Sequence, residues 1–396
     1  MDSSEKLALI SQYEDFEREE SSPTASTSCV GSTTQEGCSA SVERFLKHEE
    51  VPVQWAVLPN GKRIPLLKPV LTSVCENSCT YCGFRSGRDF RRISFTPDEL
   101  ANVFLALYRR GAVEGLFLSS GIAGGGMHTQ DRLIAAAEIL RKRYHFQGYL
   151  HLKIMPGAEY DQVLCAMQLA DRVSINLEAP NENRLKRLSP DKSFSGQLIS
   201  VFNWIEEIKH KLSGRQGWRS RWPSTTTQFV TGGSGESDLE LLQTTEIMHK
   251  KYHLSRVYFS GFKPVKNTPL EGKQATDPLR EYRLYQASFL LRDYGFDFED
   301  IPFKDDNLSL EKDPKTSWAD HHLREIPVDI NRADRETLLR VPGIGPKLAE
   351  KILSSRRIHQ ISDRSDLKKL GVCVERALPY VLLGGKRANI QLKLFY

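Results

Sequence analysis

Three cysteines lie within eight residues, in the sequence Cys-Glu-Asn-Ser-Cys-Thr-Tyr-Cys that runs from Cys75 through Cys79 to Cys82. Thiolates bind the irons of a cubane iron–sulfur cluster, and this spacing lets one short loop ligate three of the four irons. The fourth iron is then open to a ligand that is not a protein side chain. The spacing therefore predicts a [4Fe–4S] cluster at which chemistry takes place, rather than one that only passes electrons.

Two other uses of these cysteines stay open at this point, and both are less favoured. A structural zinc ion takes four ligands, usually in two pairs, but no second Cys or His pair follows in the next 40 residues and His128 stands alone. A disulfide framework is typical of short secreted chains. This chain has 396 residues and an odd number of cysteines, 7.

The aromatic residue Tyr81 before the last cysteine makes the loop C-x3-C-x-aromatic-C, which resembles the cluster loop of the radical S-adenosylmethionine (SAM) superfamily. The resemblance implies that the amino and carboxylate groups of SAM chelate the open iron. It also implies reductive cleavage of SAM to a 5′-deoxyadenosyl radical, with an electron donor such as flavodoxin or ferredoxin. The cofactors carry the difficult chemistry, and the protein positions and shields them.

Composition and length favour a soluble protein of two domains. Hydrophobic residues make up 39% and charged residues 27% of the chain, which is ordinary for a globular protein. No apolar run approaches the roughly 18 residues of a membrane span, and the N-terminus lacks the layout of a secretory signal. We therefore expect a cytoplasmic protein without a membrane partner.

Strand-like and helix-like patterns alternate six times along the middle of the chain. Such alternation predicts parallel strands with right-handed crossovers, and hence an α/β fold with a partial parallel (β/α)6 barrel, which the resemblance also implies. The predicted strands are 64–74, 116–120, 148–155, 171–177, 224–231 and 256–260, and the predicted helices are 97–110, 131–144, 158–170, 196–212, 238–252 and 278–294. Sites in barrels form at the carboxyl ends of strands, and the cysteine loop follows one of these strands.

Four segments are predicted along the chain. Residues 21–41 are rich in Ser, Thr and Gly, and this composition is typical of a flexible arm, in which Cys29 and Cys38 would be surface thiols. The predicted segments are an N-terminal segment, partly flexible (1–50), the barrel (51–310), a linker (311–326) and a small all-α C-terminal domain (327–396).

Polar residues alternate with apolar ones on two of the predicted strands. Ser174, Asn176 and Glu178 share one face of one strand, and His151 and Lys153 share a face of another. A parallel strand is normally apolar on both faces, so a polar row predicts the lining of a cavity that binds a polar ligand such as a sugar. The alternative is an edge strand with one wet face.

The superfamily resemblance implies roles for the strand ends. Ser119-Ser120-Gly121 takes the place of a Gly-Gly-Glu turn that binds the SAM amino group, without its acid. The polar row that ends in Glu178 would contact ribose, and the Gly-rich end of the fifth strand would lie near the adenine or the methionine backbone. The predicted SAM contacts are Tyr81, Ser119, Ser120, Gly121, Lys153, Ser174, Asn176, Glu178, Gln228 and Gly232.

The C-terminal segment 327–396 has 14 basic and 7 acidic residues, whereas residues 1–40 have 2 and 8. Its sequence Val-Pro-Gly-Ile-Gly between two short helical patterns strongly resembles a helix-hairpin-helix DNA-binding module. Glycines let successive N–H groups at a helix N-terminus face a phosphate without reading bases. The predicted nucleic-acid contacts are Gly343, Ile344, Gly345, Lys347 and Lys351, with Arg356 and Arg357 adding charge. Residues 361–385 resemble a degenerate second copy, and docking to another protein is the alternative use of the module.

A second basic and aromatic stretch contains Trp218, Arg219, Arg221 and Trp222. Such residues can stack on bases and contact phosphates, and the stretch could approach the mouth of the barrel. The alternative is a surface loop with one tryptophan tucked into the core.

A radical SAM barrel joined to a helix-hairpin-helix module resembles the DNA modification or repair radical SAM proteins. We therefore predict an enzyme with one cluster that cleaves SAM reductively and directs the radical to DNA without sequence preference. The alternatives are an RNA-modifying enzyme, a small-molecule enzyme and a non-enzymatic iron–sulfur scaffold that binds DNA. Cys165 and Cys373 could be hydrogen-atom donors or auxiliary ligands, but a buried inert thiol is favoured for Cys165.

Overall fold

A computed structural model describes residues 3–11, 53–57 and 63–387 of the chain, so the predicted N-terminal arm with Cys29 and Cys38 lies outside the described residues. The described residues form two compact units. The first contains residues 3–11, 53–57, 63–236 and 247–277, and the second contains 237–246 and 278–387. This division is not the same as the predicted domain bounds, which stay a prediction.

Seven strands of the first unit form one open sheet in which the strand order is the chain order. The first strand pairs antiparallel with the second, and every later neighbour pair is parallel. The six parallel strands and the partial barrel are therefore confirmed, with one antiparallel strand added at the edge. The strands are β1 (Val53–Val57), β2 (Arg63–Leu67), β3 (Gly115–Leu118), β4 (Tyr149–Lys153), β5 (Arg172–Ser174), β6 (Ser224–Thr231) and β7 (Arg256–Gly261).

Helices connect the parallel strands, as predicted. Thr96 caps the helix after the cysteine loop: its side chain accepts the Glu99 N–H while the Glu99 carboxylate accepts the Thr96 N–H, which is a capping box. A π-helical segment follows α3 and another precedes α6. The helices are α1 (Ser3–Ser11), α2 (Pro97–Arg109), α3 (Gly125–Glu138), α4 (Tyr160–Leu169), α5 (Glu182–Leu188), α6 (Ser200–Lys211) and α7 (Asp238–Tyr252), which begins in the second unit and ends in the first.

Close backbone contacts fix two glycine turns at the carboxyl ends of the strands. A Cβ on Gly126 would lie 2.0 Å from the Pro156 carbonyl oxygen, so the turn formed by Gly124, Gly125 and Gly126 packs tightly against the segment after β4. A Cβ on Gly121 would lie 2.3 Å from the carbonyl oxygen of Val74, the residue before the first loop cysteine. Only glycine allows β3 and the start of the cysteine loop to approach this closely.

The second unit contains helices and two small sheets. The C-terminal domain was predicted to be all-α; its helices are confirmed, but the described residues also contain a three-stranded sheet that was not predicted. The predicted linker contains a helix capped by Asp313, and Ala319 and Leu323 of this segment are buried in the core of the unit. The elements are α8 (Pro278–Asp293), β8 (Phe303–Lys304), β9 (Asn307–Leu308), α9 (Pro314–His322), β10 (Val328–Asp329), α10 (Arg335–Arg340), α11 (Pro346–Ser355), α12 (Arg364–Leu370), α13 (Val374–Ala377), β11 (Val381–Leu383) and β12 (Lys386–Arg387).

Each helix in the described ranges is too short or too polar to cross a lipid bilayer.

A buried ion pair supports the sheet at the amino ends of β4 and β5. Arg141, which follows α3, lies 2.9 Å from Asp171, and the two side chains are 1% and 6% exposed. The guanidinium also donates to the carbonyl oxygens of Phe146, Gly148 and Leu169. One buried cation therefore satisfies three carbonyls and a carboxylate that water does not reach.

We expect Arg141→Met to lower the free energy of unfolding by about 3–5 kcal/mol, because it leaves Asp171 buried without its main partner. The neighbouring pair of Lys142 and Glu138 is exposed, so Lys142→Met is the matched control and costs at most about 0.5 kcal/mol. Urea denaturation of both variants measures the difference. Equal midpoints would show that the buried pair does not support the sheet.

We expect Gly121→Ala to lower the free energy of unfolding by about 1–3 kcal/mol, because the added methyl group overlaps backbone. A Cβ added to Gly272 would have nothing within 4 Å, so Gly272→Ala is the control and is neutral or slightly stabilising. Thermal unfolding of the two variants tests the close approach of β3 and the cysteine loop. A Gly121→Ala protein as stable as the control would contradict it.

Candidate iron–sulfur and cofactor site

Two carboxylates hold the cysteine loop from opposite sides. Glu76, next to the first cysteine, accepts hydrogen bonds from the N–H groups of Gly124 (2.6 Å) and Gly125 (3.2 Å) where α3 begins. The Ser78 hydroxyl donates to Asp191 at 2.7 Å, and the Ser78 N–H donates to the same oxygen. The loop is therefore fixed to the helix after β3 on one side and to the segment after α5 on the other.

Arginines fix the carbonyl groups of the loop. Arg92 donates to the carbonyl oxygens of Ser73 (2.7 Å), Phe84 (2.6 Å) and Arg85 (2.7 Å), which lie on both sides of the cysteines. The Arg85 side chain donates in turn to the Cys79 carbonyl at 3.2 Å. These hydrogen bonds connect the loop to the residues before and after it.

The three cysteines differ in their surroundings. Cys79 is buried, whereas Cys75 and Cys82 are partly exposed. Burial raises the pKa of the Cys79 thiol, and the nearby Lys192 ammonium and the hydrogen bond from the Ser189 hydroxyl (3.2 Å) oppose that rise. These two groups favour a thiolate, the form that binds iron.

Metal-ligating side chains do not converge on one point within the described residues. No group of three or more His, Cys, Asp or Glu side chains there is placed to hold a single metal ion. A cubane cluster does not need such convergence, since its cysteines bind different irons.

The three cysteines line a cavity together with residues from the carboxyl ends of the parallel strands. Its empty space is about 820 Å³, counting the part open to solvent. Seven of the ten predicted SAM contacts line it, namely Tyr81, Ser120, Gly121, Lys153, Asn176, Glu178 and Gln228. Lining residues that the sequence did not indicate include Lys68, Asn77, Phe84, Phe117, Met155 and Lys192.

The other three predicted contacts are not among the cavity lining. Ser119 forms a backbone bridge to the segment after β2. The Ser174 hydroxyl lies 2.9 Å from His151 Nε2, and the Gly232 N–H donates to the Glu236 carboxylate. These groups are used to hold strand ends together, which is why they are not part of the cavity wall.

The polar row is a cavity lining and not a wet edge. β4 and β5 lie in the middle of the sheet, so the alternative of an edge strand is wrong. His151 is buried, and burial lowers its pKa well below the ordinary range, which keeps the imidazole neutral at physiological pH. His151 and Ser174 are paired with each other, while Lys153, Asn176 and Glu178 face the cavity.

Glu178 combines an unusual backbone with a buried ion pair. Its φ is +65°, a left-handed conformation that costs a non-glycine residue about 1–3 kcal/mol. Backbone hydrogen bonds with Gln228 (2.9 Å) and Val230 (2.8 Å) of β6 hold it there. Its carboxylate lies 2.8 Å from the Lys192 ammonium. Burial alone would raise the pKa of Glu178, but Lys192 and Lys153 lower it below the usual value, so the carboxylate is ionised.

Two acceptor atoms of the cavity wall lack hydrogen-bond partners among the described residues, Asn176 Oδ1 and Glu178 Oε2. A buried acceptor without a donor costs about 1–3 kcal/mol, so both atoms suit a ligand that brings hydroxyl or amino donors. SAM carries such donors, and the three thiols supply the ligands of a cluster. The residues present therefore fit both groups.

Sequence reasoning missed Lys192, which pairs with Glu178. It lies in Ser-Pro-Asp-Lys, between α5 and α6, where no spacing or alternation marks it as a site residue. Lys68 was also missed, but it directly follows β2, and its place at a strand's carboxyl end was a usable signal.

In the basic and aromatic stretch, the two tryptophans have structural roles. The Trp218 ring lies 3.9 Å from the Arg141 guanidinium, and the Trp222 indole N–H donates to the Leu212 carbonyl. The stretch precedes β6 and so lies at the amino end of that strand, whereas the cysteine loop lies at the carboxyl ends. The expected approach to the mouth of the barrel is therefore wrong.

The predicted hairpin in the second unit is present between α10 and α11. Gly343 has a φ of +84° and Gly345 caps α11, while the side chain between them, Ile344, is buried. Lys347 and Lys351 are exposed on α11. In contrast, the predicted phosphate contact Arg356 is half-buried and donates to the carbonyl groups of residues 330 and 333, so its role is structural.

The other two cysteines of the described residues, Cys165 and Cys373, are partly buried. Cys165 lies on α4, and burial raises the pKa of its thiol, which agrees with an inert thiol. Cys373 precedes α13 and lies 4.0 Å from the Glu375 carboxylate.

Comparison with known proteins supports these assignments. Residues 70–248 match the Radical SAM superfamily, and residues 324–371 match the helix-hairpin-helix motif. A threonylcarbamoyladenosine tRNA methylthiotransferase of Thermotoga maritima is 24% identical over 52% of this chain and 48% of its own length. A 7,8-didemethyl-8-hydroxy-5-deazariboflavin synthase of Methanoregula boonei is 24% identical over 52% and 62%. The chain thus spans about half to three-fifths of these relatives.

Among solved structures, methylornithine synthase aligns with a TM-score of 0.45 at 17% identity, covering 57% of this chain and 61% of that one. A radical SAM methyltransferase from Sphaerobacter thermophilus aligns with a TM-score of 0.44 at 12% identity, covering 63% and 78%. Radical SAM proteins use a [4Fe–4S] cluster and SAM, which is the pair of groups that the cavity fits. The chain therefore contains a radical SAM domain, with the cluster loop and the parallel sheet, followed by a helix-hairpin-helix domain; members of the radical SAM superfamily are enzymes.

Proposed function

We propose that this protein is a radical SAM enzyme that acts on DNA, in modification or repair. The observation that carries the first part is the convergence of three thiols and a row of polar side chains on one cavity. The second part is supported by the helix-hairpin-helix motif and by the excess of basic residues in 327–396. The proposed setting is the cytoplasm, with a flavodoxin or ferredoxin as the electron donor.

Different groups of cavity residues bind different parts of the cofactors in this proposal. Cys75, Cys79 and Cys82 hold the cluster, which supplies the electron for reductive cleavage of SAM to a 5′-deoxyadenosyl radical. The unpartnered oxygens of Asn176 and Glu178 accept hydrogen bonds from hydroxyl or amino groups of SAM.

Other groups of the cavity orient the cofactor and limit water. The ammonium of Lys153 suits the SAM carboxylate. Apolar side chains such as Phe117 and Met155 exclude water from the reacting centre, which protects a reactive intermediate. The protein therefore supplies binding, orientation and shielding.

Binding of nucleic acid is assigned to the hairpin. Its glycines let backbone N–H groups face a phosphate at the start of α11, without base contacts. Lys347 and Lys351 are exposed on the same helix and form no ion pair within the described part of the chain. In this proposal the hairpin holds the DNA duplex, and the target nucleotide has to leave the base stack to reach the cavity.

We expect the anaerobically reconstituted protein, reduced with dithionite, to release 5′-deoxyadenosine from SAM, and to do so faster when DNA is added. Cys79→Ser removes a cluster ligand and abolishes the product, whereas Cys165→Ser changes a thiol elsewhere and retains it. Liquid chromatography of the nucleoside and iron content measure the two effects. Cluster-loaded protein that forms no 5′-deoxyadenosine would leave only the non-enzymatic scaffold, and stimulation by RNA but not DNA would favour the RNA-modifying enzyme.

We expect the full chain to bind duplex DNA with an affinity that falls with salt, and Lys347→Met to reduce the slope of log K against log salt by about 1. Lys211 is exposed on α6 and paired with Glu207, so Lys211→Met is the control and leaves the slope unchanged. Fluorescence anisotropy with a labelled oligonucleotide measures both. If the DNA affinity does not change with salt concentration, or if no binding is detected, the hairpin does not bind phosphates.

A further inference from the structure

A buried lysine lies directly behind the hairpin of the second unit. Lys315 is on α9, is 8% exposed, and donates from its ammonium to the Ile344 carbonyl oxygen at 2.6 Å. The same ammonium lies 4.6 Å from the centre of the Tyr294 ring. Burying a cation is costly unless it is well paired, so a lysine whose hydrogen-bond acceptor is one hairpin carbonyl needs a reason beyond packing.

The contact fixes the orientation of one peptide group. The chain has no cis peptide bond in the described ranges, and in a trans peptide the C=O and the following N–H point in opposite directions. Because the Ile344 carbonyl is held inward by Lys315, the Gly345 N–H points away from the buried side. Gly345 caps α11, and its N–H has no acceptor among the residues that the structure describes.

The charges around Lys315 are few and come from three elements. Asp313 stands at the start of its own helix and is engaged by Arg376 of α13 at 2.8 Å, and Tyr294 follows α8. Burial, with Arg376 adding to it, lowers the pKa of Lys315 to about 7. Burial raises the pKa of Tyr294, so its phenol stays neutral in that range.

We propose that Lys315 is a positioning residue of the nucleic-acid site: it turns the Gly345 N–H toward a bound phosphate and places a positive charge beneath it. The inference rests on the proposed binding of nucleic acid by the hairpin. The phosphate favours the ammonium form of Lys315, and the ammonium holds the peptide in the binding orientation. Affinity is therefore highest when Lys315 is protonated and falls as the pH rises past the point where the free protein loses that proton.

The test is anisotropy of a fluorescein-labelled duplex with the full chain, at fixed salt, from about one pH unit below to about one unit above the Lys315 pKa of about 7. We expect the wild-type affinity to fall several-fold across this range. Lys315→Met binds roughly tenfold more weakly at the acidic end, the effect of one hydrogen bond from a charged group, and its affinity changes little with pH. Lys315→Arg keeps the charge throughout and also flattens the profile.

A matched comparison separates positioning from direct contact. Lys347→Met loses a phosphate contact, so it lowers the salt slope by about 1 and keeps the pH profile. Lys315→Met instead flattens the pH profile, because the ammonium that titrates in this range is absent.

Circular dichroism shows whether each variant is folded. If Lys315→Met does not fold, the pH profiles of DNA affinity for the wild-type protein and for Lys315→Arg test the inference. His359→Gln checks that an exposed histidine does not cause the pH effect. A folded Lys315→Met with wild-type affinity and pH profile would overturn the inference alone, whereas wild-type protein that binds no duplex at any pH would overturn the proposed function as well.

Discussion

The candidate active site depends on the buried ion pair of Glu178 and Lys192. Two charges of this kind are stable in a protein interior only when they stay together. The pair therefore fixes three parts of the chain at once. Glu178 lies four residues after β5 and is hydrogen-bonded to β6. Lys192 belongs to the segment after α5, and this segment contacts the cysteine loop through Asp191 and Ser189. Without this pair the cavity would lose both a wall and the anchor of its metal-binding loop.

A second buried cation lies behind the hairpin in the second unit. There the buried cation is Lys315 and its partner is a backbone carbonyl instead of a carboxylate. In both places a lysine with little access to solvent holds a neighbouring group in one orientation. The difference lies in the partner: a carboxylate keeps Lys192 charged, whereas a single carbonyl leaves Lys315 close to its point of titration.

Local patterns were sufficient for the larger elements. The predictions of α2, β6 and α7 agree with the structure because their signals are contained in a few adjacent residues. The antiparallel strand β1 and the helix in the predicted linker were missed. Their stability comes from pairing with β2 and from packing on the core of the second unit, and neither partner is visible from the local sequence.

Residue types and short spacings were enough to establish the chemistry of the site: three thiols at cluster spacing, a polar row on a parallel strand, and a glycine hairpin in a basic segment. The chain carries these signals directly. Which polar groups face the cavity became clear from the fold alone, since Ser174 turned out to pair with His151 while Asn176 stayed open. The fold also revealed Lys192 and Lys315, because a buried cation is defined by partners 14 and 29 residues away in sequence, and only folding brings such partners together.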